Sequence, residues 1–487
     1  MRRPLADART IAVFETRVLL ADRTLWFTAL ATLVLVLYGL LNGLAQTGER
    51  ERTITGIVAR QAETERGNRD LLRQVMARAV TPDPFANPVD PASMGGGMAA
   101  RHAIMPTTAL SPLAFGQADL NPDYYRVTYR SKATFMYDGE IENPWNLLTG
   151  HFDLAFVLTY LFPLLIFTLT YNMLSAEREQ GTLRMLLSQP LSVLTLLAGK
   201  LLPRIGALLA CAVAVPVVVV LALRPESRHG DQLALLMLWA ATVASYGLFW
   251  CALAAVVNAI SRSSAANALV LIASWVVFVL VVPVLLNLAV GAAAPSPSRT
   301  ELATRTRTIT VSALARYNDL LSSDYKFVAD ADILLPKDGR LQIPERMQGL
   351  YLVQRDTDVE LERLLEQFDR QLDAQQALVD RFGLLSPAIV MHEAMASVAG
   401  NGARRFVHFR DQVGAFHRQW KAFFEPKVLQ GLAVTEHDLD TLPQFAWTER
   451  PAADARAEIA GRLAALVLPT LLLAALAYAR LRHFRPI

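Results

Sequence analysis

A histidine and a glutamate stand side by side at the start of the run His392-Glu393-Ala394-Met395-Ala396. Zinc proteases of the His-Glu-x-x-His type need a second histidine one helical turn later, because two imidazoles on one helix face hold the metal. Alanine occupies that position here, so we predict no metal site. His408 and His417 lie nine residues apart, which is not one helix face, and we interpret both as surface histidines.

Two common catalytic motifs are absent from the sequence. There is no Gly-x-x-x-x-Gly-Lys-Ser/Thr run, which is the loop that cradles nucleotide phosphates. There is no Gly-x-Ser-x-Gly run either, so a nucleophile elbow is not predicted. We therefore predict that the chain is not an enzyme and carries no cofactor, and that any ATP hydrolysis driving it occurs on a separate subunit.

The run 177–190 has an unusual polar and apolar pattern. Its first half is charged and polar: Glu177, Arg178, Glu179, Gln180, Gly181 and Thr182. Its second half carries an apolar stripe at helical spacing: Leu183, Leu186 and Leu187. Because an apolar run ends directly before it, the pattern predicts a membrane helix that reaches an aqueous face and a short helix along that face. An ordinary charged loop is the alternative, but it needs neither the leucine stripe nor a Gly-Thr helix start.

The composition predicts the elements that position this run. Of 487 residues, 53% are hydrophobic and 19% are charged, which is too apolar for an ordinary soluble protein. Six runs have roughly the 20 residues needed to cross a membrane. They cover residues 25–45, 152–174, 205–223, 233–260, 265–293 and 462–479. We predict an all-α integral membrane protein with six transmembrane helices and two large, mainly helical extracytoplasmic segments.

The distribution of lysine and arginine predicts the orientation of these helices. One set of segments holds thirteen of these cations: residues 1–24, 175–204, 261–264 and 480–487. The loop 224–232 holds only Arg224 and Arg228, offset by Glu226 and Asp231. We therefore expect both termini in the cytoplasm of a bacterial inner membrane, and the segments 46–151 and 294–461 on the other side.

The first 151 residues contain several further patterns. Arginines around an apolar stripe in residues 1–24 predict a cytoplasmic amphipathic helix at the membrane interface. A signal-peptide core is the alternative for residues 25–45, but this run exceeds the usual length of roughly 7–15 residues. Beyond it we predict a helix over 49–80, an irregular stretch over 82–122, and a strand at 124–129 that could pair with 134–137.

The segment 294–461 shows helical periodicity among many charges, which predicts a hairpin of long amphipathic helices. Near Trp420 the sequence becomes aromatic: Phe406, Phe409, Phe416, Phe423 and Phe424. We interpret this face as packing on the segment 46–151, and a ligand-binding surface is the alternative.

Polar residues and cysteines inside the apolar runs are interpreted as packing residues. Cys211 and Cys251 both lie within such runs and predict neither a disulfide nor a metal pair. Asn172, Asn258 and Asn287 are expected to hydrogen-bond neighbouring helices. No Asp or Glu lies at the middle of a run, which disfavours a proton-coupled carrier.

The run Glu-Arg-Glu-Gln-Gly-Thr-Leu-Arg-Met-Leu-Leu-Ser-Gln-Pro, residues 177–190, resembles the cytoplasmic coupling segment of type-2 ATP-binding-cassette (ABC-2) exporter permeases. Residues 142–153 and 385–420 also look like the branch of that superfamily with large extracytoplasmic insertions. This branch distantly includes the permease for copper-site maturation of nitrous oxide reductase. The resemblance covers about half of the chain and is poor between Arg50 and Asp138.

The resemblance implies a permease subunit that couples ATP hydrolysis on a separate subunit, which holds ATP and Mg²⁺, to export of a substrate. Two copies of a cytoplasmic ATPase would press on the short helix, and a second permease, identical or homologous, would complete the membrane part. Glu177, Arg178 and Glu179 would contact the ATPase groove. Gln180 would belong to the same coupling set. The turn and the helix start would be set by Gly181 and Thr182, and an apolar cleft would be filled by Leu183, Leu186 and Leu187.

Further partners implied are the lipid membrane and a periplasmic or envelope protein. Nucleic acid is not expected, because the net charge is only +3 and no basic patch is interleaved with aromatic residues. The alternative from another class is a non-transporting scaffold or sensor whose outer segments bind an envelope partner. An anchor of that kind needs one or two membrane helices, whereas this sequence has six.

Overall fold

The computed structural model describes residues 4–21, 23–83, 86–116, 121–136, 152–188, 192–261, 263–295, 298–322, 334–341 and 345–482. The predicted run 142–153, except for its last two residues, lies outside this part of the chain. The same holds for 189–190 and for most of the C-terminal tail 480–487.

The first part of the described chain is built from these main helices and strands. In chain order they are α1 (Pro4–Ala21), α2 (Thr24–Met76), α3 (Pro91–Ser93), β1 (Arg101–Ile104), β2 (Tyr124–Val127), α4 (Ala133–Met136), α5 (Phe162–Thr170), α6 (Ser175–Glu179), α7 (Thr182–Leu187), α8 (Val193–Leu223), α9 (Gly230–Ile260) and α10 (Ser264–Ala293). The remaining helices are α11 (Arg299–Arg316), α12 (Asn318–Leu321), α13 (Glu345–Phe382), α14 (Pro387–Ala399), α15 (Ala403–Gln430), α16 (Glu436–Asp440) and α17 (Ala452–Arg482).

Six helical segments of the described chain are long and apolar enough to cross a membrane, and each contains one of the six predicted runs or nearly all of it. They are Thr24–Met76, Leu154–Glu179, Val193–Leu223, Gly230–Ile260, Ser264–Ala293 and Ala452–Arg482. The protein is therefore a multi-pass, mainly helical membrane protein, as predicted. The side of the membrane on which each loop lies stays a prediction.

Helix α2 joins two predicted elements, the span 25–45 and the helix over 49–80, into one helix. It continues without a break from the first predicted span to Met76, a length of about 80 Å at 1.5 Å per residue. Its second half therefore projects well beyond a hydrocarbon core of about 30 Å. Gly43 makes a close approach possible, since a Cβ there would lie 2.2 Å from the Pro112 carbonyl oxygen.

Three of the spans contain a π-helical turn that ends two residues before a proline. These turns are Val157–Leu161, Ala210–Ala214 and Val276–Val281, and the prolines that follow them are Pro163, Pro216 and Pro283. A proline ring clashes with the carbonyl four residues earlier and removes one hydrogen bond. A wider turn accommodates the ring within a continuous helix.

We define a lobe that comprises the second half of α2, residues 86–116 and 121–136, and the helices α11 to α13, α15 and α16. Within it β1 pairs antiparallel with β2, and Arg101 lies opposite Val127. The predicted strand at 124–129 is confirmed in part, but its predicted partner was wrong, since Ala133–Met136 form a helix. Alternate residues of β2 are buried, so the strand packs one face on the core of the lobe.

Helices α11 and α13 form the predicted hairpin. Arg316 of α11 donates to Asp356 at 2.8 Å and to Glu360 at 3.0 Å on α13. Apolar residues of both helices meet beneath these ion pairs, including Leu302, Leu361 and Leu365. The periodicity of the sequence thus identified a real helix pair.

The aromatic face of α15 packs against residues of α2, β1 and β2, which confirms the predicted interpretation. Trp420 is fully buried and its Nε1 donates to the Gly95 carbonyl at 3.1 Å. A Cβ at Gly95 would lie 2.6 Å from the Phe424 ring, so glycine is needed for this approach.

The prediction of two surface histidines was wrong for His417. This ring is buried, and its Nε2 lies 2.8 Å from the Arg130 carbonyl oxygen, a distance that fits a hydrogen bond donated by the ring. Burial lowers the pKa of His417 to about 4. The ring is therefore neutral near pH 7 and serves as a packing residue.

Helix α14 was not predicted. It is only 13 residues long, but Met391, Ala394 and Met395 are fully buried, and most of its apolar side chains join the same core as the membrane spans. The hydroxyl of Ser386, at its N-terminus, donates to the Phe278 carbonyl of α10 at 2.7 Å. The helix is thus wedged between α9, α10 and α17.

Candidate functional site

The predicted coupling segment forms a compact turn between two membrane spans. Residues 171–174 leave the helical path after α5, and α6 and α7 follow as two short helices. Gly181 joins them with a φ of +75°, a left-handed conformation that favours glycine. The expected start of the short helix after Gly181 is confirmed.

The side chains of this turn divide into exposed and inward-facing sets. Glu179, Gln180 and Gly181 are exposed. Leu183 is buried in the core of the spans, and Leu186 packs against that core. These two leucines face inward because an amphipathic helix covers its apolar side, and their place in the cleft of a partner stays a prediction. The side chain of Leu187 lies outside the described part.

Met185 is the apolar side chain that this turn presents to solvent. It is 67% exposed and lies on the face of α7 opposite Leu183. The sequence interpretation overlooked it, since it is out of phase with the leucine stripe. An apolar residue on the polar face of a predicted amphipathic helix is the sequence signal that could have identified Met185.

Glu177 is held by the next membrane span. Its carboxylate forms an ion pair with Lys200 of α8, and both side chains are largely buried. Lys200 Nζ also donates to the Met173 carbonyl at 3.3 Å, within the turn that precedes α6. The other oxygen of Glu177, Oε2, is buried and has no hydrogen-bond partner in the described chain. Lys200 is thus the group that stabilises the Glu177 charge.

Arg178 and Glu179 tie the same turn to the end of α9 and the start of α10. Arg178 Nη1 donates to the Ser261 carbonyl at 2.5 Å. Glu179 accepts from the Ser264 backbone N–H at 2.7 Å and from its hydroxyl at 3.0 Å. A carboxylate at a helix N-terminus satisfies a free N–H group and complements the helix dipole. The predicted contact residues are therefore engaged within the chain.

A buried amide network supports the non-helical turn. Asn258 donates to the Thr170 carbonyl at 2.9 Å and accepts from the Leu174 N–H at 3.2 Å. Asn267 donates to the Tyr171 carbonyl at 2.9 Å. Polar groups in such an apolar core are stable only when they are bonded. The expectation that Asn258 bonds a neighbouring helix is confirmed.

Helix α1 is joined to the site by a second buried ion pair. Arg204 of α8 donates from Nε to Glu15 of α1 at 3.0 Å. Arg204 Nη1 donates to the Leu169 carbonyl at the end of α5 at 2.5 Å. Residues 193–204 belong to helix α8, so Lys200 and Arg204 lie on the same helix as the predicted run 205–223. The site therefore connects α1, α5, α8, α9 and α10.

In the described residues, no group of three or more His, Cys, Asp or Glu side chains could hold a metal ion. What the arrangement can do is mechanical. A small exposed surface is connected by ion pairs and hydrogen bonds to several membrane helices.

Comparison with known proteins gives one match. Residues 346–448 match the model of a domain of unknown function, DUF3526. This region contains α13 to α16 and lies apart from the turn at 175–188 in sequence. No curated protein matches the chain.

Proposed function

We propose that this chain is the membrane subunit of an ATP-driven exporter of the ABC-2 type. The observation that carries the proposal is the turn at 175–188, whose exposed tip is connected to the membrane helices by side-chain contacts. The resemblance of this turn to coupling segments is the reason to propose a cytoplasmic ATPase, present in two copies, as its partner. A second permease, identical or homologous, completes the path for the substrate.

Force on the exposed tip reaches the membrane by three links. Glu177 transmits it to α8 through Lys200, Arg178 to the end of α9, and Glu179 to the start of α10. Since a buried ion pair resists separation, the linked helices move together with the tip. ATP-driven closure of the ATPases would tilt these helices and open a path for the substrate. ATP and Mg²⁺ stay on the partner.

Met185→Arg tests this proposal at the exposed surface. We expect normal insertion, because the side chain is exposed and makes no contribution to the core. A charge in an apolar contact weakens binding, so we expect the amount of co-purified ATPase to fall roughly tenfold. The measurement is ATP hydrolysis that co-purifies with the tagged chain from native membranes.

Met76→Arg is the matched control, since Met76 is also about half exposed but ends α2 at the far side of the bundle. It should retain the ATPase. A wild-type preparation that carries an envelope protein and no ATPase would contradict the exporter proposal and favour the scaffold.

The proposed location is a bacterial inner membrane with both termini in the cytoplasm. Cysteines placed at Ser188 and Ser263 should then be protected from impermeant thiol reagents in intact cells. Cysteines at Glu226 and Ser322 should be labelled, and these two positions are exposed, whereas the neighbouring Ser227 is buried. Labelling at Ser188 without permeabilisation would overturn the orientation. The wild-type chain, with Cys211 and Cys251 inside spans, gives the background.

A further inference from the structure

A cavity of about 270 Å³ lies between the C-terminal end of α13, α14 and the start of α17. Its volume is near the lower end of ligand pockets, roughly 300 Å³, and it suits a small polar group. The walls combine charged side chains with apolar ones such as Ile389 and Val390. The proposed coupling function uses none of these residues.

Three carboxylates and three guanidinium groups surround the cavity or support its wall. Arg462 donates to Glu393 at 3.1 Å and to Glu458 at 3.3 Å. Arg404 donates to Asp380 at 2.7 Å, and Arg450 lies 3.4 Å from Glu458. The cluster is neutral overall, so a ligand with equal positive and negative charge preserves its balance.

Two of these groups keep unused bonding capacity at the cavity. Glu393 lines the cavity, and the hydrogen bond that it accepts from Arg462 reaches Oε2, which leaves Oε1 as its second acceptor. Arg404 is 49% exposed and donates through Nη2, while its Nε makes no hydrogen bond in the described chain. The first is an acceptor for an amine and the second a donor for an anion.

The cavity lies at the boundary between polar and apolar surface. In α17 the charged residues stop at Arg462, and the next one is Arg480. On the opposite wall, the turn Gly383–Leu385 exposes Leu384 and Leu385, and Ser386 is bonded to α10. Exposed leucines beside membrane spans are suited to acyl chains.

We propose that this cavity binds the headgroup of a zwitterionic membrane lipid that carries a primary amine and a phosphate. The amine donates to Glu393, the phosphate accepts from Arg404, and the acyl chains lie over Leu384 and Leu385. A primary ammonium has three N–H donors, whereas a trimethylated one has none, so the carboxylates select ethanolamine over choline headgroups. An anionic lipid without an amine gives Glu393 no donor besides Arg462.

The test measures binding of phosphatidylethanolamine and phosphatidylcholine with identical acyl chains to the purified full-length chain, by native mass spectrometry. We expect the ethanolamine lipid to bind roughly tenfold more tightly, the effect of one lost charge-assisted hydrogen bond. Glu393→Gln should abolish this preference, because the neutral amide no longer attracts the ammonium, and binding of phosphatidylcholine shows that the variant is folded. The matched control is Glu362→Gln, on the exposed face of α13, which should keep the preference.

Equal binding of the two lipids by the wild type would overturn the proposal. The same holds if Glu393→Gln keeps the preference. Soluble phosphoethanolamine is the third arm, since it carries the same charges without acyl chains. If it displaced the lipid at the lipid's own concentration, the site would belong to a soluble zwitterion and the membrane source would be wrong. Lipid binding at this cavity does not depend on the ATPase. The result of the Met185→Arg experiment therefore does not change the expected lipid preference.

Discussion

Trp420→Ala should lower the free energy of unfolding of the lobe by about 3–5 kcal/mol. The indole is fully buried among Phe416, Phe424 and residues of α2, so its removal leaves a cavity that this close-packed core cannot fill. The Gly95 carbonyl loses one of its two donors and keeps the hydrogen bond from the Tyr129 N–H at 3.0 Å, so the lost packing dominates the effect.

This effect is measured by unfolding the solubilised protein in denaturant, with cleavage by a protease within α15 as the signal for unfolding of the lobe. Leu429→Ala on the same helix is the control, because Leu429 is exposed and its loss should change stability by less than about 0.5 kcal/mol. If Trp420→Ala were as resistant to denaturant as Leu429→Ala, the aromatic cluster would not be the core of the lobe.

The membrane part could be predicted from the sequence because its signal is length and apolarity, and these are local properties. The residues around Leu25, Leu233 and Ala265 form long apolar runs whatever their neighbours are. The run of α14 was missed because it has only 13 residues, too few to cross a membrane. Its burial depends on α9, α10 and α17, which no local pattern reveals.

The lobe shows the same division between local and distant information. The periodicity of α13 and the aromatic face of α15 identified helices with a packed side, because each pattern belongs to one helix. The partner of β2 was chosen as the nearer segment 134–137, whereas the structure selects Arg101–Ile104. Strand pairing is a long-range choice, and two short strands carry too little sequence pattern to specify it.

At the coupling turn, the sequence located the segment but not the contacts of its charges. Glu177 and Lys200 are 23 residues apart, and Arg178 and Ser261 are 83 apart. A charge near a membrane surface can pair with another protein or with a distant residue of its own chain, and the sequence does not distinguish the two. The sequence interpretation assigns Glu177, Arg178 and Glu179 to a partner protein. The structure shows internal contacts for each of them, and exposure leaves Gln180 and Met185 among the residues that a partner can reach.

Glu177→Lys should be the most damaging single substitution at this turn. It places a second cation beside Lys200 in a largely buried site and removes the carboxylate that pairs with it. Breaking a buried ion pair typically destabilises by about 3–5 kcal/mol, since the remaining charge has no partner. We expect a lower unfolding temperature of the solubilised protein and loss of co-purified ATPase activity.

The reciprocal exchange, Glu177→Lys with Lys200→Glu, separates the two possible roles of Glu177. If the residue acts as an internal link, the exchanged pair restores attraction between the turn and α8, and both stability and ATPase activity should recover in large part. If Glu177 instead contacts the ATPase directly, stability recovers but the partner meets a reversed charge, and ATPase activity stays lost. Recovery of neither property would show that the ion pair does not stabilise the turn. Measuring both properties on the two single variants and the exchange therefore determines whether force enters the membrane through Glu177 or only at the exposed tip beside it.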